Sequence, residues 1–173
     1  MTYCLYDASI PVFLNALRNL AALLDKAEAH AKTSGVDVAA YLEGRLAADM
    51  HPLTRQIQMA SDAAKGGGAR LAAIAPPSYP DVETTWAEVK DRIAKTIAFL
   101  ETITVEQVAG GEDRTIELPL PGRTMTFPAA DFLARFALPN FFFHVVTAYG
   151  ILRHQGVPLG KMDYLAGGAV LPP

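Results

Sequence analysis

A histidine and an asparagine stand one helical turn apart in the most apolar stretch of the chain. Asn140 precedes His144 by four positions, and the neighbours of the histidine are Phe141, Phe142, Phe143, Val145 and Val146. Residues four apart share a face of a helix, and a buried imidazole needs a partner for each nitrogen. Two interpretations follow. His144 is either a core histidine bonded to polar neighbours, or a metal ligand or catalytic group with Asn140 as a hydrogen-bond partner or weak oxygen ligand.

His51 supplies a second imidazole on a different predicted helix, beside Met50 of an apolar stripe. Two neutral imidazoles from separate helices can share a divalent cation such as zinc, nickel, iron or manganese. Catalytic zinc usually takes three protein ligands and keeps one position open. A third ligand could come from Asp49 or Asp62, but neither belongs to an HExxH or Glu-x-x-His motif. The alternative is that His51 is a surface residue at the start of a helix.

Tyr149 is a further candidate for a ligand pocket. An aromatic hydroxyl near His144 could hydrogen-bond a bound molecule, and ordinary helix packing is the alternative. Cys4 is the sole cysteine, so an internal disulfide and a CxxC motif are both excluded.

Four long amphipathic segments are predicted to position these side chains. The first begins after the N-cap Ser9 and ends near Gly35, which can adopt a left-handed C-cap conformation. The second opens at Asp49 and Pro52. Each glycine costs a helix interior about 1 kcal/mol relative to alanine, so the glycines at 66–68 predict a break in this helix.

The third long helix and a β-hairpin come next. Thr85 and Glu88 have capping-box spacing. Polar and apolar residues alternate between 114 and 127, with prolines and a glycine between the two runs, and this pattern predicts a small hairpin.

A final helix is predicted from Pro128–Asp131 to about Gln155. Pro139 cannot bond back to Arg135, so we expect a kink or a restart there. The predicted core positions are Phe132, Phe136, Phe143 and Val146. Together the elements predict an all-α four-helix bundle with a long crossover connection that carries the hairpin.

The composition indicates one packed domain, residues 1–165, with a loose tail at 166–173. The chain has 173 residues, of which 51% are hydrophobic and 19% charged. Its net charge of -3 gives no strong attraction for nucleic acid or an anionic membrane. We find neither a basic cluster followed by an apolar run at the start nor an uninterrupted apolar stretch of roughly 18–20 residues. These features predict a cytoplasmic protein.

Several segments of the chain resemble a family of unknown function within the DinB/YfiT-like superfamily. They are Leu138-Pro-Asn-Phe-Phe-Phe-His144, Leu152-Arg-His-Gln-Gly-Val-Pro-Leu-Gly-Lys161, Tyr6-Asp-Ala-Ser-Ile-Pro-Val-Phe13 and Asp49-Met-His-Pro-Leu53. The resemblance covers nearly the whole chain. It implies the superfamily's crossover bundle, commonly assembled as a homodimer.

The resemblance also implies a metal site. Members that bind metal use one histidine on the second helix and an HxxxH pair on the fourth, and some are thiol-dependent transferases or isomerases. His51 matches the second-helix ligand and His144 matches the later histidine of the pair. The earlier position is Asn140, so the three-histidine site is not completed.

These observations lead to three hypotheses. The first is a DinB-like protein that binds a small molecule beside a weak divalent-metal site, zinc or nickel, formed by His51, Asn140 and His144. If it is an enzyme, we expect a metal-dependent transferase or hydrolase. The second is a non-catalytic homodimeric bundle without metal. The third is a partner-binding module with an apolar patch at Phe141 or Phe142.

Overall fold

The computed structural model describes residues 4–167. Helix α1 spans Ile10–Ser34 and ends at Gly35, which adopts the predicted left-handed conformation with φ of 71°. A short 3₁₀ helix, Val38–Glu43, follows it. The predicted first helix is therefore confirmed at both ends.

Helix α2 spans Leu53–Leu71 and runs through the glycine run without interruption. The prediction of a break at 66–68 was wrong. All three glycines are buried, and packing of a long amphipathic face outweighs a low intrinsic propensity. At Gly68 an added Cβ would lie 2.7 Å from Leu100 Cδ2 and 3.1 Å from Ile103 Cδ1. The glycine thus allows a close approach to the end of the third helix.

Helix α3 spans Trp86–Glu101 and carries the predicted capping box between Thr85 and Glu88. The short helix α4, Val105–Val108, precedes the hairpin. Strands β1, Thr115–Leu120, and β2, Arg123–Pro128, pair antiparallel, as predicted.

The last long helix is interrupted by one widened turn. Helix α5 spans Ala129–Phe132, a π-helical turn covers Leu133–Ala137, and helix α6 spans Leu138–His154. The turn lies directly before Pro139, where a kink or restart was expected. Proline has no N–H for the regular α-helical hydrogen bond, and the π turn replaces the regular α-helical geometry at this point.

This turn also explains an error in the predicted core. Phe132 is buried, but Phe143 and Val146 are 57% and 48% exposed. A π turn contains one residue more than an α turn, so the buried face shifts by one position along α6. The buried apolar residues are Phe141, Val145, Ala148, Ile151 and Leu152. An apolar patch at Phe141 is likewise excluded, because that side chain is fully buried.

The four long helices form a bundle in which α1 and α2 lie at opposite corners. Each of them packs against both α3 and α6. The rings of Phe13 and Phe141 meet edge to face in the core, with centroids 5.0 Å apart. The connection from α3 to α6 crosses the bundle and carries the hairpin, as predicted. Among residues 4–167, no helix is both long and apolar enough to cross a membrane.

A short helix, α7, spans Lys161–Ala166 and packs against α1. Asn19 of α1 donates from Nδ2 to the carbonyl oxygens of Tyr164 and Leu165, at 3.2 and 2.8 Å. Gly167 follows with φ of 58°. The rest of the predicted tail, 168–173, lies outside the described residues.

A buried arginine of α3 forms ion pairs with α2 and with the proline-rich connection between α2 and α3. The side chain of Arg92 is 1% exposed and forms ion pairs with Asp62 of α2 at 2.8 Å and with Asp81 and Glu83 of the connection at 3.0 and 2.9 Å. Other polar and charged groups surround this cluster, namely Arg55, Gln58, Lys65 and Tyr79. We call these eight side chains the Arg92 network.

Candidate functional site

A cavity of about 310 Å³ lies between α2 and the segment that runs from the hairpin into α6. Its lining combines apolar groups with four polar side chains. The residues are Met59, Asp62, Ala63, Gly67 and Arg70 of α2, Leu118 of β1, and Phe132, Phe136, Ala137, Asn140 and His144. This volume is at the lower end of the range for small-molecule sites.

The imidazole of His144 is held in one orientation by Gln56 of α2. Its Nδ1 lies 2.8 Å from Gln56 Oε1, and the side chain is 8% exposed. Gln56 Nε2 donates to the carbonyl oxygen of His51 at 3.3 Å, which assigns Oε1 as the amide atom that faces the histidine. Because an amide oxygen only accepts, Nδ1 carries the proton and Nε2 carries the lone pair.

The surroundings also favour the neutral form of His144. Burial is the main cause that lowers its pKa, and the positive charges of His51 and Arg55 lower it further. A neutral imidazole with a free Nε2 lone pair can accept a hydrogen bond, take a proton or coordinate a cation.

The predicted site residues occupy three different environments. His144 and Asn140 both line the cavity. The side chain of His51 is exposed, and its backbone carbonyl accepts a hydrogen bond from Gln56. Tyr149 lies on another face of α6, where its ring meets Tyr164 edge to face at 5.9 Å. Tyr149 therefore belongs to the contact with α7.

The donor set does not fit a metal site of three protein ligands. Within the described part of the chain, no three histidine, cysteine, aspartate or glutamate side chains come together in a group that could hold a metal ion. Asp62 lines the cavity but is paired with Arg92 and Lys65. Apart from Asp62, the nitrogen and oxygen ligands that the lining residues could supply to a cation are the His144 imidazole and the Asn140 amide, and catalytic zinc usually takes three protein ligands.

Two polar residues of the site were not predicted, and both lie on α2. Gln56 falls on the apolar stripe formed by Leu53, Ile57 and Ala60, and a polar residue on such a stripe is a signal that it has a specific partner. Arg70 follows the glycines at the end of the helix. Its Nη1 donates to the carbonyl oxygen of Gly66 at 2.9 Å.

Because the glycines at 66 and 67 lack side chains, they leave space for Arg70 and for the cavity. A Cβ at Gly66 would lie 2.8 Å from Arg70 Nη1, and one at Gly67 would lie 3.1 Å from Phe13 Cζ and 3.6 Å from Ala137 Cβ. Gly67 itself lines the cavity. The sequence signal was therefore present in the glycines, although their effect depends on the tertiary contacts.

The fold and this site define a class of protein: a crossover four-helix bundle with a hairpin in the crossover and a histidine cavity between its second and last long helices. The chain belongs to the family described as a domain of unknown function, DUF1993, whose model matches residues 5–165. This family membership agrees with the DinB-like superfamily assignment from sequence.

A crystal structure of a DinB family member protein from Shewanella denitrificans is similar to this chain over almost its full length. The two are 42% identical and superpose with a TM-score of 0.86, and the match covers 98% of this chain and 96% of the other. No curated protein matches the chain. The DinB-like fold is thus confirmed.

Proposed function

We propose that this protein binds a small molecule in the cavity between α2 and α6, with Nε2 of His144 as the group that recognises it. The proposal depends on one observation: Gln56 occupies Nδ1 at 2.8 Å and leaves Nε2 as a lone pair. A ligand that donates a hydroxyl, amine or thiol proton would complete the hydrogen bonding of this imidazole. The same nitrogen can withdraw that proton, which is the step of general base catalysis.

The remaining lining supports a ligand with both apolar and polar parts. Phe132 and Phe136 form an aromatic wall whose rings stack at 6.0 Å, and the amide of Asn140 offers a donor and an acceptor. Small-molecule sites typically combine apolar walls with a few polar groups that fix orientation.

A divalent cation bound by His51, Asn140 and His144 stays a prediction. If zinc or nickel binds, the cation would lower the pKa of a bound water or thiol. The proposed recognition by His144 does not require it. Tag-free protein titrated with each metal tests the point, since uptake that His144→Gln abolishes supports a metal ligand and uptake that this variant leaves unchanged excludes one.

A fragment titration followed by NMR tests small-molecule binding. Protein labelled at histidine is titrated with small aryl compounds that carry a hydroxyl, amine or thiol, and we expect the ring signals of His144 to shift on binding. His144→Gln should lose this binding, while His154→Gln, which changes an exposed histidine of the same helix, should retain it. Circular dichroism checks the fold of each variant. Equal binding by wild type and His144→Gln contradicts the proposal.

We further propose that a second copy of the chain covers the exposed face of α6. Phe143 and Val146 lie one turn apart and are both about half exposed, whereas the other apolar α6 residues except Pro139 are buried or partly buried. Such a patch is typical of a protein contact. Multi-angle light scattering should report a dimer for wild type and a monomer for Phe143→Ser. Val82→Ser, at a residue that is 69% exposed elsewhere, should leave the mass unchanged, and a monomeric wild type refutes the dimer.

A further inference from the structure

Arg70 is a cationic side chain at the cavity that has no anionic partner among the described residues. Its guanidinium is half buried, and burial lowers its pKa. No ion pair within residues 4–167 involves Arg70, and its one hydrogen bond there runs from Nη1 to the carbonyl of Gly66. The Nη2 and Nε groups therefore have no protein acceptor in the part of the chain that the structure describes.

Asp62, the carboxylate that lines the cavity, already has cationic partners. Asp62 pairs with Arg92 at 2.8 Å and with Lys65 at 3.0 Å, and all three belong to the Arg92 network. By contrast with Arg70, the buried guanidinium of Arg92 is surrounded by three carboxylates. A partly desolvated arginine without such a partner is stabilised by an anion that enters with the ligand.

We propose that the ligand is a small organic acid whose carboxylate binds Arg70 and whose hydroxyl, amine or thiol donates to His144. This assignment rests on the proposed function. A guanidinium presents parallel N–H groups that match a carboxylate, and one arginine balances its single negative charge. A phosphate ester carries nearly two charges, so a second cation would be needed. The apolar part of the acid would pack against Phe132 and Phe136.

Three matched probes separate the two polar contacts. Phenyllactate has the acid and the hydroxyl, phenyllactamide lacks the charge, and phenylpropanoate lacks the hydroxyl. Calorimetry on the full chain should give phenyllactate an affinity about ten- to a hundredfold above that of the amide, as expected for a hydrogen bond to a charged group.

Variants assign each preference to one side chain. Arg70→Met should remove the preference for acid over amide, and Arg70→Lys should retain part of it. Arg153→Met is the control, because Arg153 also donates to a backbone carbonyl four residues away but lies exposed on α6. Circular dichroism confirms that the variants fold.

The outcomes distinguish this inference from the proposed function. If Arg70→Met retains the acid preference, or if no acid binds, the inference is overturned. If the acid preference depends on Arg70 but the hydroxyl adds no affinity and His144→Gln binds normally, the role proposed for His144 fails and the anion site stands.

Discussion

Replacing Arg92 by methionine is expected to destabilise the protein substantially. The side chain is 1% exposed and bridges α3 to Asp62 of α2 and to Asp81 and Glu83 of the connection. It also donates to the carbonyl of Pro80 at 3.2 Å. Methionine replaces the apolar stem of the arginine but has none of these donors, so the variant would leave three carboxylates without their shared cation.

The magnitude follows from the exposure and the remaining partners of those carboxylates. Removing one member of a buried ion network typically costs about 3–5 kcal/mol. Asp62 and Asp81 keep partial contact with water and retain Lys65 and Arg55 as cations. Glu83 is the most buried of the three and retains the amide of Gln58 at 2.8 Å. We therefore expect a loss near the lower limit, about 3 kcal/mol in the free energy of unfolding.

Urea unfolding at neutral pH, followed by far-ultraviolet circular dichroism, measures this loss. The matched control is Lys95→Met, which removes an ion pair with Asp91 one turn away on α3, where both side chains are more than half exposed. Exposed pairs contribute about 0–1 kcal/mol. If Arg92→Met costs no more than the control, the Arg92 network does not hold the connection in place.

Two further predictions concern acid pH and the glycine run. Burial acts to raise the pKa of Asp81 and of Glu83, but neighbouring cations outweigh this effect. These cations are Arg55 and Arg92 for Asp81, and Arg92 for Glu83. The pKa of Asp81 therefore lies below 3.8 and that of Glu83 below 4.5. Their contribution is complete above those values and disappears as the pH falls through the folded-state pKa. The stability difference between wild type and Arg92→Met should therefore narrow in acid, and a constant difference contradicts the role of these ion pairs. On α2, the Gly66→Ala variant should be about 1–3 kcal/mol more stable than the Gly68→Ala variant. Both substitutions bring the same gain in helix propensity, but only the Cβ at position 68 enters the packed core. Equal urea midpoints for the two variants would refute this prediction.

The elements with local signals could be predicted from sequence. The capping box at Thr85, the left-handed glycine at position 35 and the alternation in the hairpin each depend on residues that are neighbours in the chain. The phase of α6 could not be predicted in the same way. One extra residue in the π turn rotates every later side chain, so a regular period carried from Phe132 assigns Phe143 to the core although it faces outward.

The candidate site was predictable only where its residues share a helix. Asn140 and His144 are four apart, and the structure brings them to one cavity. Gln56 and Arg70 reach the same region from α2 through tertiary packing, which no spacing in the sequence expresses. His51 matched the ligand position of the superfamily, but its side chain is exposed. In this structure its backbone carbonyl accepts a hydrogen bond from Gln56 and so helps to orient the Gln56 amide.

The glycine run provides a physical argument for the proposed ligand site at the cavity. Three glycines in a helix interior cost about 3 kcal/mol relative to alanine. Close packing accounts for Gly68, whose Cβ would meet Leu100, Ile103 and Ile10 of the core, and for Gly67, whose Cβ would lie 3.1 Å from the buried ring of Phe13. At Gly66 a Cβ would meet only the guanidinium of Arg70, and Gly67 forms part of the cavity wall. Departures from local preference that packing does not explain are expected at functional sites, and Gly66 is such a position beside Arg70, which has no anionic partner among residues 4–167.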